Sequence, residues 1–414
     1  MSRIIALALL LSLLGAHGVC AKSGVQHPEI FVATDLHFIS PALTDGGGYF
    51  TRMIESADGK VTAYCDALTD AFVQTVIDAQ PACLIISGDL TLNGAKKSHE
   101  DLAVKLERIV QSGVPVLVMP GNHDVNMRAS AAFSGEGYTI VPSVTDEEFA
   151  EIYHACGYGT AISRDSHSLS YIAEPLPGLR ILMLDTNTPG APCAAAAPTL
   201  IWLQLQLDRA KADGAKVISV THQNLYAHSD LLSKGFVIGN AQRLLEIYNR
   251  FGVKANLSGH MHLQHTKRSH SGILDIATSS LAVSPCQYGV ITLDKDEAAY
   301  RTETVGVSAW AASNGLTDPN LLDFTAYAER FFKGRSSEQI ASQLTHHATQ
   351  DAKAMADFSI ALNYAYFSGR MDSFVRDAHL EALWTQENSS FWGLYVQSML
   401  REAGVDHTRV KFTY

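Results

Sequence analysis

The stretch Glu29-Ile30-Phe31-Val32-Ala33-Thr34-Asp35-Leu36-His37 decides how this chain is read. Ile30 to Thr34 form an unbroken apolar and β-branched run, the pattern of a strand buried on both faces. The run ends on Asp35 and His37. Two apart in extended backbone, they would point to the same side. Ligands of open α/β sheets gather at the carboxyl ends of strands. A carboxylate and an imidazole at such an end are therefore candidate ligands for a divalent metal.

Four more motifs follow in order: Gly88-Asp89 closing with Gly94, Gly121-Asn122-His123-Asp124, His222, and Gly259-His260-Met261-His262. Most sit directly after another apolar run: Leu84–Ile86, Val116–Met119, Val217–Val220 and Ala255–Leu257. Between these runs lie helical patterns at 63–79, 98–111, 200–212 and 242–251, with Ser98 read as a helix N-cap. A further strand is expected at 181–184. Strand alternating with helix argues for an α/β core. Beyond Gly259 strands dominate, at 273–277, 289–293 and 299–305. Thr317-Asp318-Pro319 then reads as a helix start, and everything after it as helix, with Leu321, Phe324, Ala328 and Phe331 on one stripe. The expected division is a signal peptide over 1–21, a metal-binding domain over 22–313 and a helical domain over 314–414.

Arg3, the apolar stretch Ile4–Leu14 and Val19-Cys20-Ala21 form that export signal, with cleavage expected after Ala21. His17-Gly18-Val19 fits a lipidation box poorly, so no lipid anchor is expected at Cys20, and the destination is periplasmic or extracellular. The Ile4–Leu14 stretch is too short to span a bilayer comfortably, and no second transmembrane candidate is read from the sequence. Cys156, Cys193 and Cys286 lie near loops and could supply one disulfide there. A net charge of −11 argues against a nucleic acid polymer as partner.

The motif residues comprise two carboxylates, one amide oxygen and four imidazoles besides His123, enough for two ions if one carboxylate bridges. Two divalent ions bring four positive charges; Asp35, Asp89 and a bridging hydroxide remove three. The remainder suits an anionic phosphoester, and the same ions would bring a bridging water towards ionisation at neutral pH. His123 is the extra imidazole, suited to stabilise the transition state and to protonate the leaving oxygen; Asp124 is expected to orient it. Nitrogen and oxygen donors admit manganese, iron, zinc or cobalt.

As an ordered set, these motifs resemble the calcineurin-like metallophosphoesterase superfamily over roughly residues 29–305. The resemblance implies an α/β fold of four layers, α/β/β/α, followed here by a small C-terminal helical domain. It implies one metal held by Asp35, His37, Asp89 and His262, a second held by Asp89, Asn122, His222 and His260, and His123 as the catalytic histidine. Within the superfamily the chain looks most similar to exported bacterial cyclic-nucleotide phosphodiesterases with a helical tail, through segments such as Ser98-His99-Glu100-Asp101-Leu102. Purple acid phosphatases carry a Tyr where this chain has Leu92, so a Tyr-ligated ferric centre is not expected. Many relatives have a second His where this chain has Gln223, which leaves the ligand set intact but could alter a substrate contact.

The expected activity is hydrolysis of cyclic nucleotides or small diesters, with a phosphomonoesterase or nucleotidase as the alternative. A binding scaffold with the same fold is the non-enzymatic reading, set against a ligand set with nothing missing. His99 and Asn224 are the candidate substrate contacts, each weighed against a simple solvated position. His228 is treated in the same way. The helical tail is expected either to form a homo-oligomer or to cap the site.

Overall fold

A computed structural model describes residues 27–414 apart from 58, 189, 191, 271 and 345; the expected signal peptide over 1–21 lies outside the described residues. The strands are β1 (Glu29–Ala33), β2 (Cys83–Ile86), β3 (Val116–Val118), β4 (Ala131–Ser134), β5 (Gly137–Ile140), β6 (Ser163–Arg164), β7 (Tyr171–Leu176) and β8 (Leu179–Met183). They continue with β9 (Lys216–Val220), β10 (Ala255–Ser258), β11 (His265–Arg268), β12 (Leu274–Ala277), β13 (Gln287–Leu293), β14 (Glu297–Thr304) and β15 (Arg409–Thr413). One sheet has the order β15-β14-β13-β1-β2-β3 and the other β11-β12-β10-β9-β8-β7-β6; β4 and β5 form a separate hairpin.

In the first sheet β1, β2 and β3 run parallel, with Val32 opposite Ile85 and Ile85 opposite Leu117. Parallel strands covered on both faces explain the continuous apolar runs. In the second sheet β8, β9, β10 and β12 are parallel. Alternation along β8 separates the layers. Ile181 and Met183 share a buried cluster with Ile30, Val32 and Leu84 of the first sheet, so the sheets pack face to face. Leu182 and Leu184 instead join Leu203, Leu207 and Leu244 on the outer helices Ala197–Ala212 and Ala241–Phe251. Helices Cys65–Ala79 and Lys96–Gln111 cover the first sheet through Leu68, Phe72, Leu102 and Leu106. The result is four layers, each buried aliphatic side chain contributing roughly 1.5–3 kcal/mol.

The C-terminal part begins on helix Val307–Ser313. Asp318 then accepts the Asn320 and Leu321 amides in front of Pro319, the helix start that its sequence predicts. Leu321, Phe324 and Ala328 pack into the main core. Helices Phe324–Ala341, Thr349–Ser368, Ala378–Gln386 and Phe391–Leu400 build a second core around Met355, Trp384 and Val396. Met261 and Leu263 of the Gly-His-Met-His segment belong to this second core.

Three expectations require correction. The chain does not end as helix: β15 returns to pair with β14, placing Val410 opposite Tyr300 and burying Phe412. The alternation Arg409-Val410-Lys411-Phe412-Thr413 is the signal of an edge strand. Helix Lys96–Gln111 starts before Ser98, whose buried hydroxyl accepts the Ser40 amide at 3.1 Å instead of capping the helix. Cys65, Cys83, Cys156, Cys193 and Cys286 are all free thiols, so the expected disulfide is absent among them.

Candidate metal centre

Each motif occupies the turn that leaves a strand of the parallel core, and these turns meet between the two sheets. Asp35 and His37 follow β1, Asp89 follows β2, Asn122 and His123 follow β3, His222 follows β9, and His260 and His262 follow β10. The expectation that Asp35 and His37 share a side through extended backbone is not met. Both are left-handed, with φ of 52° and 43°, as are Asp89 at 47°, His260 at 66° and His262 at 59°. Non-glycine residues in that region are uncommon and persist only where the surroundings hold them. Here the Asp35 amide donates to Gly88 O at 3.0 Å and the His37 amide to Asp89 O at 3.0 Å. The His260 amide donates to Asp35 Oδ2 at 2.9 Å, joining turns 225 residues apart. A Cβ on Gly259 would collide with the Thr34 hydroxyl and Asp35 Oδ2, and one on Gly121 would collide with Asp89. Glycine at those two places permits the approach.

The side chains converge as two groups sharing one carboxylate. Asp35, His37, Asp89 and His262 form one; Asp89, His222 and His260 form the other. Asp89 Oδ2 lies 3.8 Å from His37 Nε2, while its Oδ1 lies 3.3 Å from His222 Nε2. Asn122 Oδ1 stands 3.2 Å from the same His222 nitrogen and so joins the second group. In the first group His262 Nε2 is 3.3 Å from Asp35 Oδ1 and 3.0 Å from His37 Nε2. Donors on one ion with bonds of about 2.1 Å lie about 3–3.4 Å apart, so the 3.0, 3.2 and 3.3 Å spacings fit a shared cation, and the 3.8 Å between Asp89 and His37 is wider than that range.

Burial and hydrogen bonding favour the same reading. Asp35 Oδ1 is buried with no hydrogen-bond partner, an arrangement a cation would resolve. His222 Nδ1 faces Ser87 O at 3.0 Å, which fixes the proton there and leaves Nε2 as the donor of a lone pair. His260 Nε2 faces Gly235 O at 3.0 Å, which frees Nδ1. Burial raises the carboxyl pKa of Asp35 and Asp89, but His262 and His222 respectively outweigh it and hold both carboxylates ionised. Burial also pulls His37 well below the ordinary imidazole range, its ligand-competent neutral state.

His123 is the partly open imidazole, its side chain 38% exposed and its Nε2 3.9 Å from Asp89 Oδ2. Its Nδ1 meets Leu92 O at 3.1 Å. Leu92 therefore orients the ring through its backbone, the task expected of Asp124. The Asp124 carboxylate is fully buried and accepts the amides of Leu90, Thr91 and Gly121 at 3.0, 2.9 and 2.8 Å. It is a brace between two turns.

The expected substrate contacts are braces as well. His99 is fully buried, meeting the Tyr153 hydroxyl at 3.0 Å and Asp124 O at 2.9 Å. Its place on the stripe with Leu102, Ala103 and Leu106 is a signal that the sequence contained. Asn224 is buried and donates to Ser258 Oγ at 2.8 Å and Gly259 O at 3.1 Å, steadying the last turn. Gln223 is buried too, accepting the Thr186 hydroxyl and donating to Asn187 Oδ1 at 2.6 Å. His228 is buried against Asp275 and His265.

A sequence profile described as calcineurin-like phosphoesterase matches residues 28–264, and one described as the C-terminal domain of cyclic nucleotide phosphodiesterase matches residues 306–406. A probable cyclic nucleotide phosphodiesterase of Psychrobacter sp. (strain PRwf-1) is 25% identical over 206 residues, 49% of this chain and 53% of that protein. The match thus spans about half of that relative's length. Among solved structures, a dimetal phosphatase from Danio rerio aligns with a TM-score of 0.49 at 13% identity, covering 67% of this chain and 96% of that one. GAP50, the anchor in the inner membrane complex of Plasmodium, aligns with a TM-score of 0.40 at 14% identity, covering 68% of this chain and 86% of that one. With the motifs, the layered core and the profile in agreement, this chain belongs to the calcineurin-like phosphoesterase family.

Proposed function

We propose that the protein is an exported phosphodiesterase that uses two divalent ions to hydrolyse cyclic nucleotides or related small diesters. The observation that carries this reading is Asp89, whose two oxygens face separate donor groups at 3.8 and 3.3 Å. Asp35, His37, Asp89 and His262 would hold one ion; Asp89, Asn122, His222 and His260 would hold the other. Bound there, the ions would supply Lewis acidity to the phosphoryl oxygens and lower the pKa of a shared water. The seven ligands leave His123 free for proton transfer. Hydrolysis adds water across one phosphorus–oxygen bond, and the departing alkoxide needs a proton. Protonated His123 can keep its Nδ1–H on Leu92 O while Nε2–H faces the opening, so proton donation does not disturb its orientation. The C-terminal profile and the Psychrobacter relative support a cyclic diester as substrate class. The segment from Arg3 to Ala21 supports export.

The test is turnover of cyclic nucleotides, bis(p-nitrophenyl) phosphate and p-nitrophenyl phosphate by protein reconstituted with manganese, iron, zinc or cobalt. Diesters should react faster than the monoester. Full activity of metal-free protein would overturn the reading.

A further inference from the structure

A second cluster of ligand-type side chains lies at the seam between the second sheet and the chain's C-terminal segment. His265 opens β11, Glu402 follows the last helix, and His407 precedes β15. Their side-chain donor atoms lie within 4.8 Å of one another. The two imidazoles stack at 3.8 Å, and their Nε2 atoms stand 3.9 and 3.5 Å from Glu402 Oε2. Both Nε2 atoms are buried and have no hydrogen-bond partner. His265 and His407 are 3% and 4% exposed, so water does not satisfy those nitrogens from outside.

The surrounding bonds accommodate the tautomer of His265 that a cation requires. The Asp275 carboxylate already accepts the Leu225 amide, Asn256 Nδ2 and Ser258 Oγ, so it can only accept again from His228 Nε2, 3.2 Å away. In that tautomer of His228, with the proton on Nε2 alone, the Nδ1 lone pair accepts His265 Nδ1–H at 2.9 Å. That leaves the lone pair of His265 on Nε2, facing Glu402. The sequence carboxylate, imidazole, imidazole, open nitrogen is the outer-shell arrangement that orients metal-binding histidines. His407 Nδ1 faces both the Thr266 amide at 3.3 Å and the Thr266 hydroxyl at 3.1 Å. The amide donates to Nδ1, so without a cation the ring's proton sits on Nε2; a cation on Nε2 would move that proton to Nδ1, where the Thr266 hydroxyl can accept it in place of the 3.3 Å amide bond. Glu402 Oε2 is beyond hydrogen-bond reach of His265 Nε2, which leaves that lone pair for a cation.

We propose that His265, Glu402 and His407 form a third divalent-cation site, matched to zinc, that fastens the C-terminal segment to the edge of the second sheet. Two imidazoles and one carboxylate are a zinc donor set with a fourth place for water, and the 37% exposed Glu402 side chain gives that place access to solvent. The site is separate from the dinuclear centre, and its ligands lie far apart in sequence, so closing it removes unfolded-chain entropy.

The test is crystallisation of the full chain with enough zinc for the dinuclear centre and one further ion, followed by anomalous scattering at the zinc edge. An anomalous peak between His265, Glu402 and His407 is expected, with one zinc more per chain by elemental analysis than in Glu402→Gln or His407→Gln. Glu402→Gln keeps size and partial exposure and so guards against loss of folding. No peak at the seam, or a peak undiminished in folded Glu402→Gln, would overturn the proposal. The peak position distinguishes this outcome from any failure at the dinuclear centre.

Discussion

The Asp124 carboxylate accepts the Thr91 amide at 2.9 Å and the Thr91 hydroxyl at 3.0 Å, tying the turn after β3 to the turn after β2. It also takes the Gly121 and Leu90 amides, so one buried group fixes the loops that present Asp89, Asn122 and His123. Asp124→Ala strands these donors and should cost roughly 3 kcal/mol or more, with activity falling as the turns loosen. Because His123 is held by Leu92 O, the alkaline limb of the pH–rate profile, where a general acid loses its proton, should stay in place in whatever activity remains. Thermal denaturation and the kcat profile check both points; a shifted alkaline limb would mean that Asp124 acts on the His123 ring.

His123→Ala removes the proposed acid without removing any of the seven candidate ligands. Turnover of a diester with an alkoxide leaving group should drop about 10²–10⁴-fold. With p-nitrophenolate, which leaves without a proton, the loss should be much smaller. Comparing the two substrates in the same preparation, with unchanged metal content, checks the role. Equal losses for both leaving groups would assign His123 to charge stabilisation instead.

In metal-free protein, two imidazoles should give stability a maximum near their ordinary pKa. Burial lowers His222, but Asp89 beside it outweighs this and raises it to about 9 from 6.5. Its contribution is complete below pH 6.5 and is lost as pH rises towards 9. Burial takes His260 down to about 4. As pH falls from 6.5 towards 4 the unfolded chain takes up this proton and the folded one does not, so stability falls. Each limb is on the order of 3 kcal/mol. Metal loading should move the maximum upward, since ligand imidazoles must be deprotonated. Urea denaturation of stripped and loaded protein across this range reads the difference; a monotonic curve for the stripped form would contradict it.

What the sequence made legible was whatever short-range pattern controls. The parallel strands are buried on both faces, so Ile30–Thr34 and Leu84–Ile86 announce themselves as apolar runs, and the polar residues after them mark strand ends. The left-handed backbone at Asp35 and His37 was not legible, because it depends on the His260 amide and the space at Gly259, more than two hundred residues away. β15 was missed for a similar reason: its five residues gain their pairing only from β14, across the whole helical unit. The roles of His99 and Asn224 turned on burial. Both lie near the right loops, and each is buried with bonds that brace a turn.

Met261 connects the helical unit to the metal centre, and this connection can be tested. It lies between His260 and His262, whose backbones are both left-handed, and its side chain is 5% exposed in the cluster that contains Trp384, Val396 and Met399. The C-terminal core therefore anchors the turn that supplies one candidate ligand to each ion. Met261→Ala should cost roughly 2–5 kcal/mol by leaving a cavity. The cost should fall partly on the turn, so the variant should lose metal from both positions on dialysis while its far-UV spectrum is kept. Met261→Leu conserves volume and should cost less than about 1.5 kcal/mol, with metal content unchanged. Elemental analysis after dialysis, read beside thermal denaturation, separates local from global loss. A Met261→Ala protein that is destabilised yet keeps both ions and full turnover would show that the helical core packs beside the centre without supporting it.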